Sequence, residues 1–175
     1  MDGALPEVKQ ARHQPGPVGA RPPGVFGMPA HPGSSGVAAS SRMSSARRRD
    51  TVPEVALRRA LHAAGMRFRV VHPVPGNRRR TIDIAFTRRR LAVFVDGCFW
   101  HGCAEHGTAP RANADWWGEK IATNQSRDRD TDRLLIEAGW SVLRVWEHVE
   151  VSRAVEVVQA ELLLSASTSR RMFQA

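Results

Sequence analysis

Asp83 stands between Ile82 and Ile84, and a second acid, Asp96, closes the apolar run Leu91-Ala92-Val93-Phe94-Val95. A lone carboxylate among apolar residues is costly to bury unless it is paired or holds a cation. A divalent ion that activates water against a phosphodiester needs such hard oxygen ligands near strand ends. On the solvated face of an edge strand Asp83 would need no cation, and the residues alone leave both readings open. Directly after Asp96 comes Gly97-Cys98-Phe99-Trp100-His101-Gly102-Cys103-Ala104-Glu105-His106. Cys98, Cys103 and His106 offer the thiolate and imidazole donors that zinc prefers. His148 is the best fourth ligand, because a strand beside Leu91 to Val95 would bring its end to the same loop. The alternative is two buried thiols beside ordinary loop histidines. Glu54 and Asp128, the latter in Arg127-Asp128-Arg129-Asp130, read on their own as charges on solvated helix faces.

The same loop carries Phe99 and Trp100, with Trp116 and Trp117 further on. Each aromatic alone reads best as a core plug, but several near one site in a basic protein fit side chains that stack on bases or wedge between them. Arg78-Arg79-Arg80 and Arg88-Arg89-Arg90 flank the strand of Asp83, either as a solvated face or to receive phosphates at a metal there. The chain of 175 residues holds 26 Lys plus Arg against 17 Asp plus Glu, a net +9 that favours a polyanion as partner. Two cysteines exclude a disulfide scaffold. No stretch approaches the roughly 20 apolar residues of a membrane span, and no secretory signal opens the chain, so a cytoplasmic protein is expected.

The elements that must position these residues begin at Asp50. Up to Arg49 the chain holds 7 of its 11 prolines, 7 of its 14 glycines and +5 of its charge, the pattern of a disordered tail over 1–43 or of a start codon placed upstream of a true start at Met43. Asp50 or Thr51 can cap a helix with Pro53 in its first turn and Gly65 as its stop. Met66 to Val71, Thr81 to Phe86 and Leu91 to Val95 read as strands, the last two as a hairpin with the second central. Asn113 to Ala138 reads as a long helix, Trp140 to Trp146 as a buried strand and Val149 to Leu164 as a final helix. This order predicts an α/β domain over 44–165, with a mixed sheet covered by helices and a flexible end over 166–175.

Four blocks together resemble the very-short-patch repair (Vsr) DNA mismatch endonucleases. They are Asp83 on a strand, Phe94-Val-Asp-Gly-Cys-Phe-Trp-His-Gly-Cys103, Trp117-x2-Lys-Ile-x2-Asn-x3-Asp128, and Gly139-Trp-x-Val-Leu-x-Val-Trp-Glu-His148. The resemblance covers about Ser44 to Glu150. It implies a restriction-endonuclease-like three-layer α/β/α fold and an enzyme that nicks one strand on the 5′ side of the thymine at T:G mismatches left by deamination of 5-methylcytosine. Position by position it implies Asp83 as the principal Mg²⁺ ligand, joined by the Val95 carbonyl, and His101 assisting the attacking water. Asp128 would orient that histidine, and Glu54 would belong to the same active site. Structural zinc would fall on Cys98, Cys103, His106 and His148, and the intercalating aromatics would be Phe99, Trp100 and Trp117. Lys120 and Arg78 to Arg80 would contact the duplex. The better-known members carry histidine at the position of Asp96 and cysteine at that of His148, so Asp96 either adds a metal ligand or replaces a water-mediated contact. A monomer near the bacterial nucleoid, handing its nick to mismatch-repair proteins and a repair polymerase, is expected. A restriction-type nuclease needing no mismatch, or an inactive zinc-stabilised DNA-binding module, are the competing readings.

Overall fold

The structure, a computed structural model, describes residues 9–11, 49–107 and 113–172. Helix α1 (Val52–Ala63) starts after Thr51 with Pro53 in its first turn. Its end is a Schellman turn: Met66 N–H donates to the Leu61 carbonyl and Gly65 N–H to that of His62, with Gly65 at φ +78°. Four strands follow the register of a twisted sheet: β2 (Arg69–Val74), β3 (Asn77–Phe86), β4 (Leu91–Asp96) and β5 (Ser141–Trp146). Between β4 and β5 lie the single-turn helix α2 (Cys98–His101) and the long α3 (Ala114–Glu137), and α4 (Val151–Met172) follows β5.

The sheet order is β1-β5-β4-β3-β2, with only the β4–β5 pair parallel. Strand β1 is Lys9–Ala11, paired antiparallel to the outer edge of β5. Composition assigned these three residues to a tail; an open edge on an apolar strand can be covered by any short extended segment, which composition does not register. The rest of the expected tail over 1–43 lies outside the described residues. At the other terminus, the flexible end expected from 166 is helix as far as Met172, consistent with the absence of Gly and Pro from Ser165 to Met172.

Helices cover both faces. Leu57, Leu61, Ala154 and Val158 of α1 and α4 pack on Ile84, Phe86, Leu91, Val93, Leu143 and Val145. Leu135 of α3 packs on the opposite face with Val74, Ile82, Ala85, Ala92, Phe94 and Val142. Strand β2 sits three residues later than the alternation at Met66 to Val71 predicts and keeps Pro73 inside it, which an edge strand tolerates, with a register shift between Pro73 and Val74. The chain instead turns at Pro75-Gly76, and β3 starts at Asn77, so Arg78 to Arg80 are strand residues.

Two features position the chemistry. Because β4 and β5 run parallel with Asp96 opposite Trp146, the loop after β4 and the residues after β5 emerge side by side. In addition, the β3–β4 ladder ends at Ile84 opposite Val93. Beyond it Ile82 packs with the α3-side cluster while Ile84 packs with the other, so the two-residue alternation breaks across Asp83. Val71, between the residues paired with Ile84 and Ile82, stands at φ +51°. The Val95 N–H, left without a ladder carbonyl, donates to Asp83 Oδ2 at 3.1 Å.

Candidate active site and metal centre

Asp83 therefore occupies the notch where two central strands part. Burial first, and the charge of Glu54 after it, push its carboxyl up to about 6, against the opposing hydrogen bond from Val95. Glu54 is buried rather than solvated. Its Oε2 accepts from Asp50 N at 3.0 Å and from Arg58 Nη2 at 2.9 Å, and its Oε1 accepts from Thr51 Oγ1 at 3.0 Å. Arg58 also pairs with Asp50. Glu54 thus serves as the acid of the helix's first turn and as a fixed negative neighbour of Asp83.

The second cluster lies on the α3 side. His101 Nδ1 meets Asp128 Oδ2 at 2.6 Å and stands 3.9 Å from Asp96 Oδ1. Burial lowers the imidazole pKa, but the Asp128 hydrogen bond and the Asp96 charge outweigh it and the net shift is upward. Burial would raise Asp128, yet His101 and Arg144 hold it below the usual carboxylate range. With Nδ1 on a carboxylate, Nε2 is the nitrogen available for proton exchange. Asp96, buried, pairs with Arg144 Nη1 at 2.8 Å.

The loop between these clusters is fastened from two sides. Gly97 leads into α2, whose Cys98 N–H donates to Glu147 Oε1 at 2.6 Å. Asn124 Nδ2 donates to the Trp100 carbonyl and Gln125 Nε2 to that of His101, each at 3.0 Å. Gly102 ends α2 at φ +66°, and a Cβ there would lie 2.9 Å from Gln125 Nε2 and 3.0 Å from Ile121 Cγ2, so α3 presses where only glycine fits. Cys98, Cys103, His106 and His148 come together at the end of this turn, their donor atoms all within 4.8 Å of one another. Cys98 Sγ is 3.0 Å from His148 Nδ1, and the His106 and His148 rings stand 4.3 Å apart. Burial and the Cys103 thiol push Cys98 up to about 11, the direction a bound cation reverses.

Comparison with known proteins decides the family. A family model described as DNA mismatch endonuclease Vsr matches residues 37–106. The chain is 46% identical over 122 residues to the type II nicking enzyme V.NaeI of Lentzea aerocolonigenes, an alignment spanning 68% of this chain and 73% of that one. It is 42% identical over 107 residues to the type II nicking enzyme V.XorIIP of Xanthomonas oryzae pv. oryzae, with 60% and 76% covered. It is 36% identical over 113 residues to the DNA mismatch endonuclease Vsr of Escherichia coli K12, with 62% and 68% covered. The chain belongs to the Vsr DNA mismatch endonuclease family. It is accordingly a DNA endonuclease of the α/β class.

Within this Vsr chain the residues singled out from sequence divide. The structure gathers Asp83 with Glu54, and His101 with Asp128 and Asp96. Phe99 contacts Trp100 and Trp117 with ring centroids 5.1 and 5.0 Å apart, but Trp117 is buried and forms the base on which Phe99 and Trp100 rest. Lys120 lies half-buried on α3, one turn beyond Trp116. Arg80 is spent on α3: its Nη1 pairs with Asp130 at 2.7 Å and donates to Thr131 Oγ1 at 2.9 Å. Arg78 and Arg79 are exposed. Arg88 to Arg90 do not approach the notch, because the antiparallel hairpin puts its turn at the far end of β3, about 17 Å from Asp83 at 3.3 Å per residue. Arg144, Asp132, Asn124, Gln125 and Glu147 also hold the site together, and of these only Asn124 and Glu147 stand as named residues in the motif blocks, without a role. Arg144 carried a usable signal, since it is a lone charge in the apolar run Val142 to Trp146.

Proposed function

We propose that this endonuclease nicks one DNA strand on the 5′ side of the thymine at T:G mismatches, within a restriction-endonuclease-like α/β/α frame. The observation that carries the reading is that a single helical turn bears Phe99, Trp100 and His101 together, at the end of the strand beside Asp83. A mismatch is where unstacking costs least, so half-buried aromatics on a rigid base select it by opening the stack there. Phe99 and Trp100 are the wedge and Trp117 is its support. The exposed Arg78 and Arg79, with Lys120, meet the backbone phosphates.

The donor sets fit two different ions. Around zinc at 2.0–2.3 Å, tetrahedral ligands stand roughly 3.3–3.8 Å apart, and the donor atoms of Cys98, Cys103, His106 and His148 all lie within 4.8 Å of one another. With all four positions filled by protein, zinc there is structural. Asp83, a hard carboxylate whose burial one backbone hydrogen bond offsets only in part, and the Val95 carbonyl would hold Mg²⁺. When bound, that ion supplies Lewis-acid stabilisation of the phosphate and a more acidic water. His101, aligned by Asp128, takes a proton from the attacking water at Nε2. The nick it leaves passes to mismatch-repair proteins and a polymerase, and the enzyme acts as a monomer.

The test uses the full-length protein with Mg²⁺ and Asp83→Ala. The variant is expected to bind a T:G duplex as tightly as the wild type and to leave it unnicked. Nicking by Asp83→Ala at the wild-type rate contradicts the assignment of the catalytic metal.

A further inference from the structure

We propose that Arg144 is a positioning residue of the nicking site, holding the two acids behind His101 so that the imidazole has one orientation. This rests on the nicking reading above. A guanidinium in the middle of a central strand is expensive to bury and persists only with partners. Arg144 stacks on the Phe94 ring at 4.6 Å from its centroid. Its edge formed by Nε and Nη2 meets Asp132 Oδ1 at 3.2 and 2.9 Å, which would suffice to fasten α3 to β5. The rest of the fork goes elsewhere. Nη1 binds Asp96 Oδ1 at 2.8 Å, and Nη2 lies 3.6 Å from Asp128 Oδ1 and 3.5 Å from the Asp128 carbonyl.

Asp96 and Asp128 are the two acids within 3.9 Å of His101 Nδ1. Asp128 therefore faces His101 with Oδ2 and Arg144 with Oδ1, which fixes the plane of its carboxylate and, through the 2.6 Å contact, the ring it orients. Asp96 is drawn into the same fork, so its paired oxygen is not free to ligate the metal at Asp83, one of the roles its sequence position suggested. Arg144 is itself buried. It acts by keeping three acids and one imidazole in a single arrangement, where a displacement of about 1 Å costs on the order of 100-fold in rate.

The experiment compares full-length wild type, Arg144→Lys and Arg144→Met/Asp96→Asn. The double change removes the acid that would otherwise be left buried without a partner. Thermal unfolding reports the fold, steady-state nicking of a T:G duplex gives kcat and KM, and spectra of ¹⁵N-histidine protein report the Nδ1 proton of His101. In folded variants kcat is expected to fall about 10- to 100-fold with KM within about threefold of wild type. The downfield Nδ1 proton expected of the short Asp128 bond shifts or exchanges away. Arg144→Lys keeps the charge and the fold but cannot reach three acids at once, and it is expected to show the same pattern at smaller amplitude. Wild-type kcat, or an unmoved His101 resonance in a folded variant, overturns the proposal and leaves Arg144 as a fastener of α3. A wild type that does not nick T:G duplexes defeats the nicking reading instead, and the His101 spectra still decide the role of Arg144.

Discussion

Two groups of residues meet in one loop, and they are built on opposite principles. Cys98, Cys103, His106 and His148 are soft donors with all their donor atoms within 4.8 Å of one another, a set that could hold a metal ion. Asp83, Asp96, Asp128, Asp132, His101 and Arg144 are ionisable, four acids about one imidazole and one guanidinium, with Asp96 and Arg144 buried and Asp83 and His101 partly exposed. In the proposed reading the first group fills a tetrahedral ion with protein donors and holds shape. The second keeps Asp83 and His101 partly exposed, with the contacts to Asp128 and Asp96 made at His101 Nδ1. Because Cys98 and Cys103 bracket Phe99, Trp100 and His101, the first group fixes where those three side chains stand.

That contrast can be broken from either side. His101→Ala removes the proposed proton acceptor and leaves the quartet intact, so nicking is expected to fall roughly 10²- to 10⁴-fold with melting temperature and metal content unchanged. Single-turnover nicking with elemental analysis on the same preparation checks it. Cys103→Ser acts on the other group: zinc content and melting temperature should both drop, and nicking should fall on the order of 10- to 100-fold through displacement of the loop. A protein that is folded and fully active without zinc would dissolve the distinction.

The smallest effect concerns Asp83 without its cation. Its carboxyl is raised to about 6 from an ordinary value near 3.8, so the folded protein holds that proton more tightly than the unfolded chain. The stability it contributes is complete below about pH 4 and is lost as pH rises through about 6. Asp83→Asn, measured without added Mg²⁺, should raise the melting temperature by on the order of 5 °C at neutral pH and change it little in acid. Thermal scans across that range check the sign, and added Mg²⁺ should narrow the gap.

How much of this could be read from residues varied with how far apart the partners lie. The quartet was legible because ligand chemistry is written in residue type, and one inferred strand adjacency brought His148 to the loop. Asp83 was legible as a carboxylate out of place in an apolar strand. The same reasoning applies to Arg144 in Val142 to Trp146, but its partners come from β4 and from α3, and no local pattern announces them. Glu54 read as a solvated charge because its burial comes from the packing of α1, not from its own turn. Asp128 stands out as a partner for His101 only through the family resemblance. The Arg88 to Arg90 triplet looked like a neighbour of Asp83 in sequence, and an antiparallel hairpin carries that turn to the far end of the sheet.

The central claim is that the aromatics on α2 and the notch at Asp83 form one mismatch-selective nicking site. Its most direct measurement is strand-resolved cleavage by the full-length protein in Mg²⁺ of two duplexes that differ only in one T:G or T:A pair. A single nick 5′ of the mispaired thymine, absent from the matched duplex, is the predicted result. Equal cutting of the matched duplex, or tight binding of the T:G duplex without any nick, would contradict it.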